Sequence, residues 1–220
     1  CDEGNTPGFR PHPGRKSPWA FPGAEKFQTE LAKGSGSQGH FETPDQWITR
    51  LKADTIIAFF GFNSSFAGEQ GVANYKAELT AFIKHTLSQK YNGKSAPQLA
   101  IVSPTACQDL SDKYGSPDGA SANTNLALYT KAMKEVCAEQ GVLFIDVYSP
   151  SKAVFDSTKM ELTIDGALLN NKGYAWLAQR LADSIYGKKA AADTHRVLVH
   201  AAVNEKNWCW LNDFKVANGV

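Results

Sequence analysis

The feature that most constrains this fold is an alternation of short apolar runs and longer amphipathic segments between residues 55 and 187. Apolar runs at 56–60, 99–102 and 142–147 have the length and composition of strands buried on both faces. After each run, apolar residues recur at spacings of three and four, as on one face of a helix. This order predicts a parallel sheet with right-handed crossovers, in a flavodoxin-like, three-layer α/β/α sandwich.

The segments on either side of this pattern differ from it in composition. Residues 1–50 are rich in glycine, proline and polar side chains, which favours long loops, and a short helix is expected from Asp45 to Lys52. Residues 188–220 include Trp208 and Trp210, which we expect to pack on the flank of the sheet or on a following domain rather than to stack on a ligand. We therefore predict an α/β domain over 1–187 and a helical, aromatic extension over 188–220.

The charge balance and the missing motifs exclude several classes of function. The chain has 23 Lys and Arg against 22 Asp and Glu, which predicts no basic surface for nucleic acid or an anionic membrane. No apolar run approaches the ~20 residues of a transmembrane helix. No Gly-x-Gly-x-x-Gly turn follows a predicted strand and no Gly-x-x-x-x-Gly-Lys-Ser/Thr loop is present, which disfavours a nucleotide-binding α/β protein of another family.

The four cysteines are too few for a disulfide scaffold and too far apart for a metal-binding pair. Cys107 follows the second strand and Cys137 falls on the apolar face of a helix, so we expect free, partly buried thiols. Cys1 has two explanations. It is either the lipid-carrying first residue of a mature lipoprotein or the start of a fragment.

Ligand sites of parallel sheets lie beyond the carboxyl ends of the strands, which directs attention to residues 61–66, 103–108 and the segment after Asp146. Gly61-Phe62-Asn63 ends the first strand. A glycine there permits a tight turn, and the Asn63 amide is placed to donate to a developing oxyanion. The alternative is a turn asparagine that bonds its own backbone.

Two further segments supply candidate catalytic groups. Asp165 precedes the last helix, where a carboxylate can orient a catalytic histidine. The alternative is a loop aspartate that accepts hydrogen bonds from nearby backbone N–H groups. Asn170 or Asn171 is a candidate cap for the helix that follows. Gly4, in Gly4-Asn5-Thr6, can offer its backbone N–H as a second oxyanion donor.

Together these segments resemble the SGNH/GDSL hydrolase family over about residues 1–187. Gly4-Asn5-Thr6 resembles the end of the second sequence block of that family, and Gly61-Phe62-Asn63 resembles the third. Asp165 to Asn170, with Gly173-Tyr174, resembles the fourth. The resemblance implies a serine nucleophile, a histidine base, Asp165 as the acid, and Asn63 and Gly4 as oxyanion donors. It also implies small acyl ester substrates, such as carbohydrate O-acetyl groups, and no metal or organic cofactor.

The chain departs from the family pattern at the nucleophile, because no Gly-Asp-Ser occurs in its 220 residues. We therefore expect a fragment that lacks the serine block and the first two strands of the family sheet, from a protein of the bacterial envelope or a secreted one. The first strand would then have an unpaired apolar edge. We expect such a chain not to form a stable monomer by itself.

The second departure is Leu168, which stands three residues after Asp165 where the family has its histidine. Leucine has no lone pair with which to accept the proton of a nucleophile. Among the five histidines, His12 and His40 are the nearest to the predicted site, and His85 is expected to face solvent. Two readings stay open. One is an ester hydrolase domain whose longer polypeptide supplies the serine; the other is an inactive binding or structural module of a larger envelope protein.

Overall fold

The computed structural model describes residues 43–115, 118–158, 160–187 and 196–214. The chain divides into two compact units, the first ending at Leu181 and the second beginning at Ala182. The division falls inside the last helix of the predicted α/β domain. The predicted boundary between 187 and 188 therefore stays a prediction.

The first unit contains a parallel sheet, as the sequence predicts. Its strands are β1 (Thr55–Phe59), β2 (Gln98–Val102) and β3 (Leu143–Ile145), in the order β1-β2-β3. Ala100 in the central strand lies opposite Ile57 on one side and Leu143 on the other. The predicted α/β class is confirmed by this sheet and the helices that alternate with its strands.

The helices of the two units include two that the sequence does not predict. In chain order they are α1 (Pro44–Arg50), α2 (Gly68–Ser88), α3 (Ser111–Tyr114), α4 (Ala120–Gln140), α5 (Tyr148–Ser157), α6 (Asn171–Tyr186) and α7 (Arg196–Phe214). A short 3₁₀ helix, Ser64–Ala67, precedes α2. The unpredicted ones are α3, which is a single turn, and α5, which has a proline at its third position.

The apolar core lies on the face of the sheet that α2 and α4 cover. Central residues of this core are Leu79, Phe82, Ile83, Leu99, Ile101, Tyr129, Met133, Val136 and Cys137. Their spacing on α2 and α4 is the three- and four-residue recurrence seen in the sequence. Burial of these side chains is the main source of stability, at roughly 1.5–3 kcal/mol for each large one.

The prediction that β1 is buried on both faces is wrong. Ala58 faces the core, but Ile57 and Phe59 on the opposite face are 41% and 39% exposed. Among the described residues β1 pairs with β2 alone, so it forms an edge of the sheet. The central strand β2 has partners on both sides and is buried at every position after Gln98.

The second unit contains α7. Trp208 and Trp210 on this helix are 67% and 62% exposed. Their packing on the sheet or on a following domain stays a prediction. Within the described ranges, no helix combines the length and the apolar character needed to cross a membrane.

Candidate active site

The turn after β1 requires a glycine at position 61. Gly61 has a φ of +102°, a region that residues with a Cβ rarely adopt. An ideal Cβ on Gly61 would also lie 3.1 Å from Met133 Sδ and 3.2 Å from Tyr75 Oη. The Gly61 carbonyl accepts a hydrogen bond of 3.0 Å from Ser65 N, which closes the turn. The backbone is thus folded tightly immediately before Asn63.

Asn63 lies at the carboxyl end of β1 with its side chain half-buried. It precedes the 3₁₀ helix but makes no capping bond with its side chain. No other described residue forms a hydrogen bond with the Asn63 amide, so the alternative of a self-bonded turn asparagine is not observed. The NH₂ group is available to a ligand.

Asp165 lies in the loop between α5 and α6 and shapes that loop. Its Oδ1 accepts hydrogen bonds from Leu168 N at 2.7 Å and Ala167 N at 2.9 Å. The alternative reading of a loop aspartate bonded to backbone N–H groups is therefore the one observed. These N–H groups, that of Leu168 first, lower the pKa of the Asp165 carboxyl, which keeps it ionised near neutral pH.

Leu168 is 62% exposed, so its side chain makes little contribution to the core. The loop around it is held by its backbone. Leu168 O accepts a hydrogen bond of 2.7 Å from Ile164 N, and an antiparallel bridge joins Thr163 to Leu169. The shape of the loop therefore depends on main-chain groups and on Asp165, not on the side chain at position 168.

Of the two candidate caps of α6, Asn170 and Asn171, it is Asn170 that caps the helix. Its Oδ1 accepts a hydrogen bond of 3.0 Å from Gly173 N, and its Nδ2 donates to Glu161 O at 2.9 Å. Gly173 packs closely against the loop: a Cβ at this position would overlap the carbonyl oxygen of Leu162. The segment from Asp165 to Tyr174, which resembles the fourth family block, thus forms the junction between the Asp165 loop and α6.

The loop after β2 contacts both of these regions. At its start, Pro104 Cδ would lie 3.4 Å from a Cβ on Gly61. At its end, Gln108 N donates a hydrogen bond of 2.8 Å to Gly166 O. Burial and then the charge of Asp165 raise the pKa of the Cys107 thiol. The turn after β1 and the loop before α6 therefore meet the same connecting loop.

The sequence predicts that residues 103–108 lie near the site, but it predicts no role for their side chains. Gln108 and Asn123 were missed, because only their three-dimensional contacts show what they do. Gly4, His12 and His40 lie outside the described residues. Asn63 and Asp165 share no hydrogen bond with each other in the described part of the chain.

The prediction that His85 faces solvent is wrong, because its side chain contacts Asp45. Its Nε2 lies 2.8 Å from Asp45 Oδ2, and Tyr91 Oη donates to Asp45 Oδ1 at 2.6 Å. Burial first, and then the hydrogen bond to Asp45, raise the pKa of Tyr91. Because Asp45 is in the first turn of α1, this cluster joins α1 to the C-terminal part of α2, and its role is structural.

A cleft of about 480 Å³ lies between the N-terminal half of α4 and α5. Its lining includes Cys107, Asn123, Tyr148 and Lys152 but neither Asn63 nor Asp165. The oxyanion donor and the acid predicted from the sequence therefore do not line this cleft. Across the described ranges, no group of three or more His, Cys, Asp or Glu side chains is placed to hold a metal ion.

Comparison with known families finds a match over most of the chain. The model of the GDSL-like Lipase/Acylhydrolase family matches residues 12–176, which include both Asn63 and Asp165. Comparison with curated proteins finds no relative by sequence.

Several solved structures resemble the chain. A variant of an acetyl-xylooligosaccharide esterase from Geobacillus stearothermophilus is 15% identical, with a TM-score of 0.49 over 66% of this chain and 64% of that one. A lipase/acylhydrolase from Enterococcus faecalis is 24% identical, with a TM-score of 0.46 over 64% and 67%. An α/β hydrolase from the metagenome of Lake Arreo, Spain, is 14% identical, with a TM-score of 0.48 over 64% and 63%. The chain spans less than two thirds of the length of the first of these proteins.

Proposed function

Because the chain belongs to the GDSL-like lipase/acylhydrolase family, we propose that it is part of an ester hydrolase that acts on small acyl esters, with carbohydrate O-acetyl groups as the candidate class. The observation that carries the proposal is the Asn63 amide, which is half-buried at the end of β1 and makes no capping bond. An amide in that position can donate a hydrogen bond to a bound substrate.

Asn63 acts in this mechanism as an oxyanion donor. When a serine from another part of the polypeptide attacks the ester carbonyl, negative charge develops on the carbonyl oxygen, and the Asn63 NH₂ donates a hydrogen bond to it. The backbone N–H of Gly4 is the second donor. Loss of one such donor lowers kcat by roughly 10²–10³.

Asp165 is the acid of the triad, and position 168 is the place of the base. An imidazole at that position would receive the serine proton while the Asp165 carboxylate orients it. Leu168 cannot take this proton. We therefore propose that hydrolysis by the natural sequence is weak or absent.

The test is hydrolysis of p-nitrophenyl acetate by the natural full-length protein and by its Leu168→His variant. We expect a gain of at least about tenfold in kcat for Leu168→His, since a positioned general base contributes roughly 10²–10⁴-fold. Adding Asn63→Leu should remove most of that gain, whereas Asn74→Leu, at an exposed asparagine of α2, should not. Rapid turnover by the natural protein with no change in Leu168→His would contradict the assigned base position.

The second candidate is a binding module that retains the pocket without turnover, and Leu168 is the observation that favours it. It predicts no hydrolysis by either protein in that assay. It also predicts saturable binding of an acetylated xylooligosaccharide to the natural protein, measured by calorimetry, which Asn63→Leu weakens.

A further inference from the structure

We propose that Gln108 is a positioning residue that fixes the loop carrying Asp165 and position 168. The inference deepens the proposed function and rests on it, because the position of this loop matters only if Asp165 and residue 168 serve the reaction. The evidence is a set of hydrogen bonds that one buried side chain makes to residues more than fifty positions away.

Every polar atom of the Gln108 side chain is engaged. Its Oε1 accepts hydrogen bonds from Leu162 N at 3.1 Å, from Thr163 N at 3.1 Å and from Thr163 Oγ1 at 2.8 Å. Its Nε2 donates to Met160 O at 2.7 Å. Gln108 is only 7% exposed, so these groups would lack solvent partners if the side chain were removed.

The bonds continue from Gln108 to Asp165. Thr163 Oγ1, which donates to Gln108, accepts a hydrogen bond of 3.2 Å from Gly166 N. Gly166 O accepts a hydrogen bond from the backbone of Gln108 at 2.8 Å. Asp165 is therefore flanked on both sides by residues that Gln108 holds.

Gln108 can act as an anchor because its own loop is fixed to two helices. Asn123 on α4 holds Cys107 with two bonds of 2.8 Å, one accepted by its Oδ1 and one donated by its Nδ2. Ser151 Oγ on α5 accepts a hydrogen bond of 2.8 Å from Ala106 N. Through Gln108 and its loop, the Asp165 loop is thus connected to helices α4 and α5.

The first test is amide hydrogen exchange on the full chain, which does not require turnover. We expect Gln108→Leu to speed exchange at the amides of Leu162, Thr163 and Leu168 by about tenfold or more, with the amides of β2 unchanged. Gln108→Glu keeps the Oε1 acceptor but loses the Nε2 donor to Met160 O, so exchange at Leu162 and Thr163 should rise less than in Gln108→Leu. Gln98→Leu, at an exposed glutamine of β2, is the matched control.

The second test measures the pKa of the imidazole introduced by Leu168→His, by NMR. The neighbouring Asp165 carboxylate should raise this pKa above about 6.5, the ordinary value for histidine. Adding Gln108→Leu should return it toward that value. A role in overall stability alone would leave this pKa unchanged in the folded protein.

The outcomes separate this inference from the proposed function. Absence of hydrolysis by the Leu168→His variant leaves both tests intact and counts against the proposed function only. Unchanged exchange at 160–169, exchange that rises equally in β2, or an imidazole pKa insensitive to Gln108→Leu would overturn the inference. If Gln108→Leu does not fold, Thr163→Val removes one of the same bonds and should give the same local pattern in milder form.

Discussion

One oxygen of the Asp165 carboxylate shapes the loop by accepting two backbone hydrogen bonds. We propose that the charge of the same carboxylate orients a base at position 168. The pKa of the Asp165 carboxyl lies below the value of the unfolded chain because Leu168 N and Ala167 N donate to it. The stability that these bonds contribute is therefore present above the unfolded pKa, about 3.9, and is lost as the pH falls through the lower folded pKa.

We predict that the amide resonances of Ala167 and Leu168 shift together as Asp165 is protonated, at a pH below about 3.9. The measurement is an NMR titration of the backbone amides. Asp165→Asn keeps an acceptor oxygen but has no charge to titrate, so this step should disappear while the turn persists. A titration step that survives in Asp165→Asn would show that another group controls the loop.

The three described thiols should differ widely in reactivity. Burial raises the pKa of Cys137 to about 12, Cys107 is half-buried with a raised pKa, and Cys209 is exposed. Because the thiolate is the reactive form, iodoacetamide at about pH 8 should label Cys209 first, Cys107 slowly and Cys137 only after unfolding. Peptide mapping by mass spectrometry measures the order, and labelling of Cys137 in the native protein would contradict the buried placement of α4.

At the scale of elements, the junction between the Asp165 loop and α6 depends on the absence of a Cβ at position 173. We predict that Gly173→Ala destabilises the protein by about 1–3 kcal/mol, because the methyl group would displace the Leu162 backbone. Urea unfolding measures the loss. Lys172→Ala, at the exposed neighbouring position, should change stability by less than about 0.5 kcal/mol.

The sequence predicts the elements well where burial follows a simple period. The apolar spacing of α2 and α4 locates both helices, and the run at 99–102 locates β2. The same reasoning fails for β1, since an apolar run does not show which neighbouring strand or helix is present to cover it. It also misses α5, where Pro150 at the third position and few apolar residues hide a helix.

The candidate site is predictable to a similar extent. Asn63 and Asp165 can be located because they follow or precede recognisable elements. Gln108 cannot, because its role depends on bonds to residues 52 to 55 positions away that become neighbours only in the folded chain. Local sequence carries no signal for such a contact.

At the scale of the whole molecule, the exposed face of β1 and its outer edge, on which the described residues place no strand, should govern association. We predict that the 220-residue chain self-associates, because an apolar edge strand can pair with a second copy. Ile57→Lys should shift the population toward monomer, as measured by sedimentation velocity. Leu51→Lys makes the same change at an exposed leucine just after α1, outside the strand, and should have no such effect.

One result would contradict the prediction of self-association. A monomeric sedimentation profile together with a cooperative thermal transition for the natural chain would show that β1 is adequately covered. The expectation of an unstable isolated chain would then be wrong.

The loop before α6 also has a consequence for the history of this protein. Since the backbone N–H of residue 168 makes the bond to Asp165, and its side chain points away from the core, exchange of leucine and histidine there costs the fold little. Substitutions between leucine and histidine at position 168 should therefore be under little selection for stability. If position 168 is the place of the base, as we propose, a lineage can lose that base by neutral drift and regain it by one substitution, with a folded protein at every step.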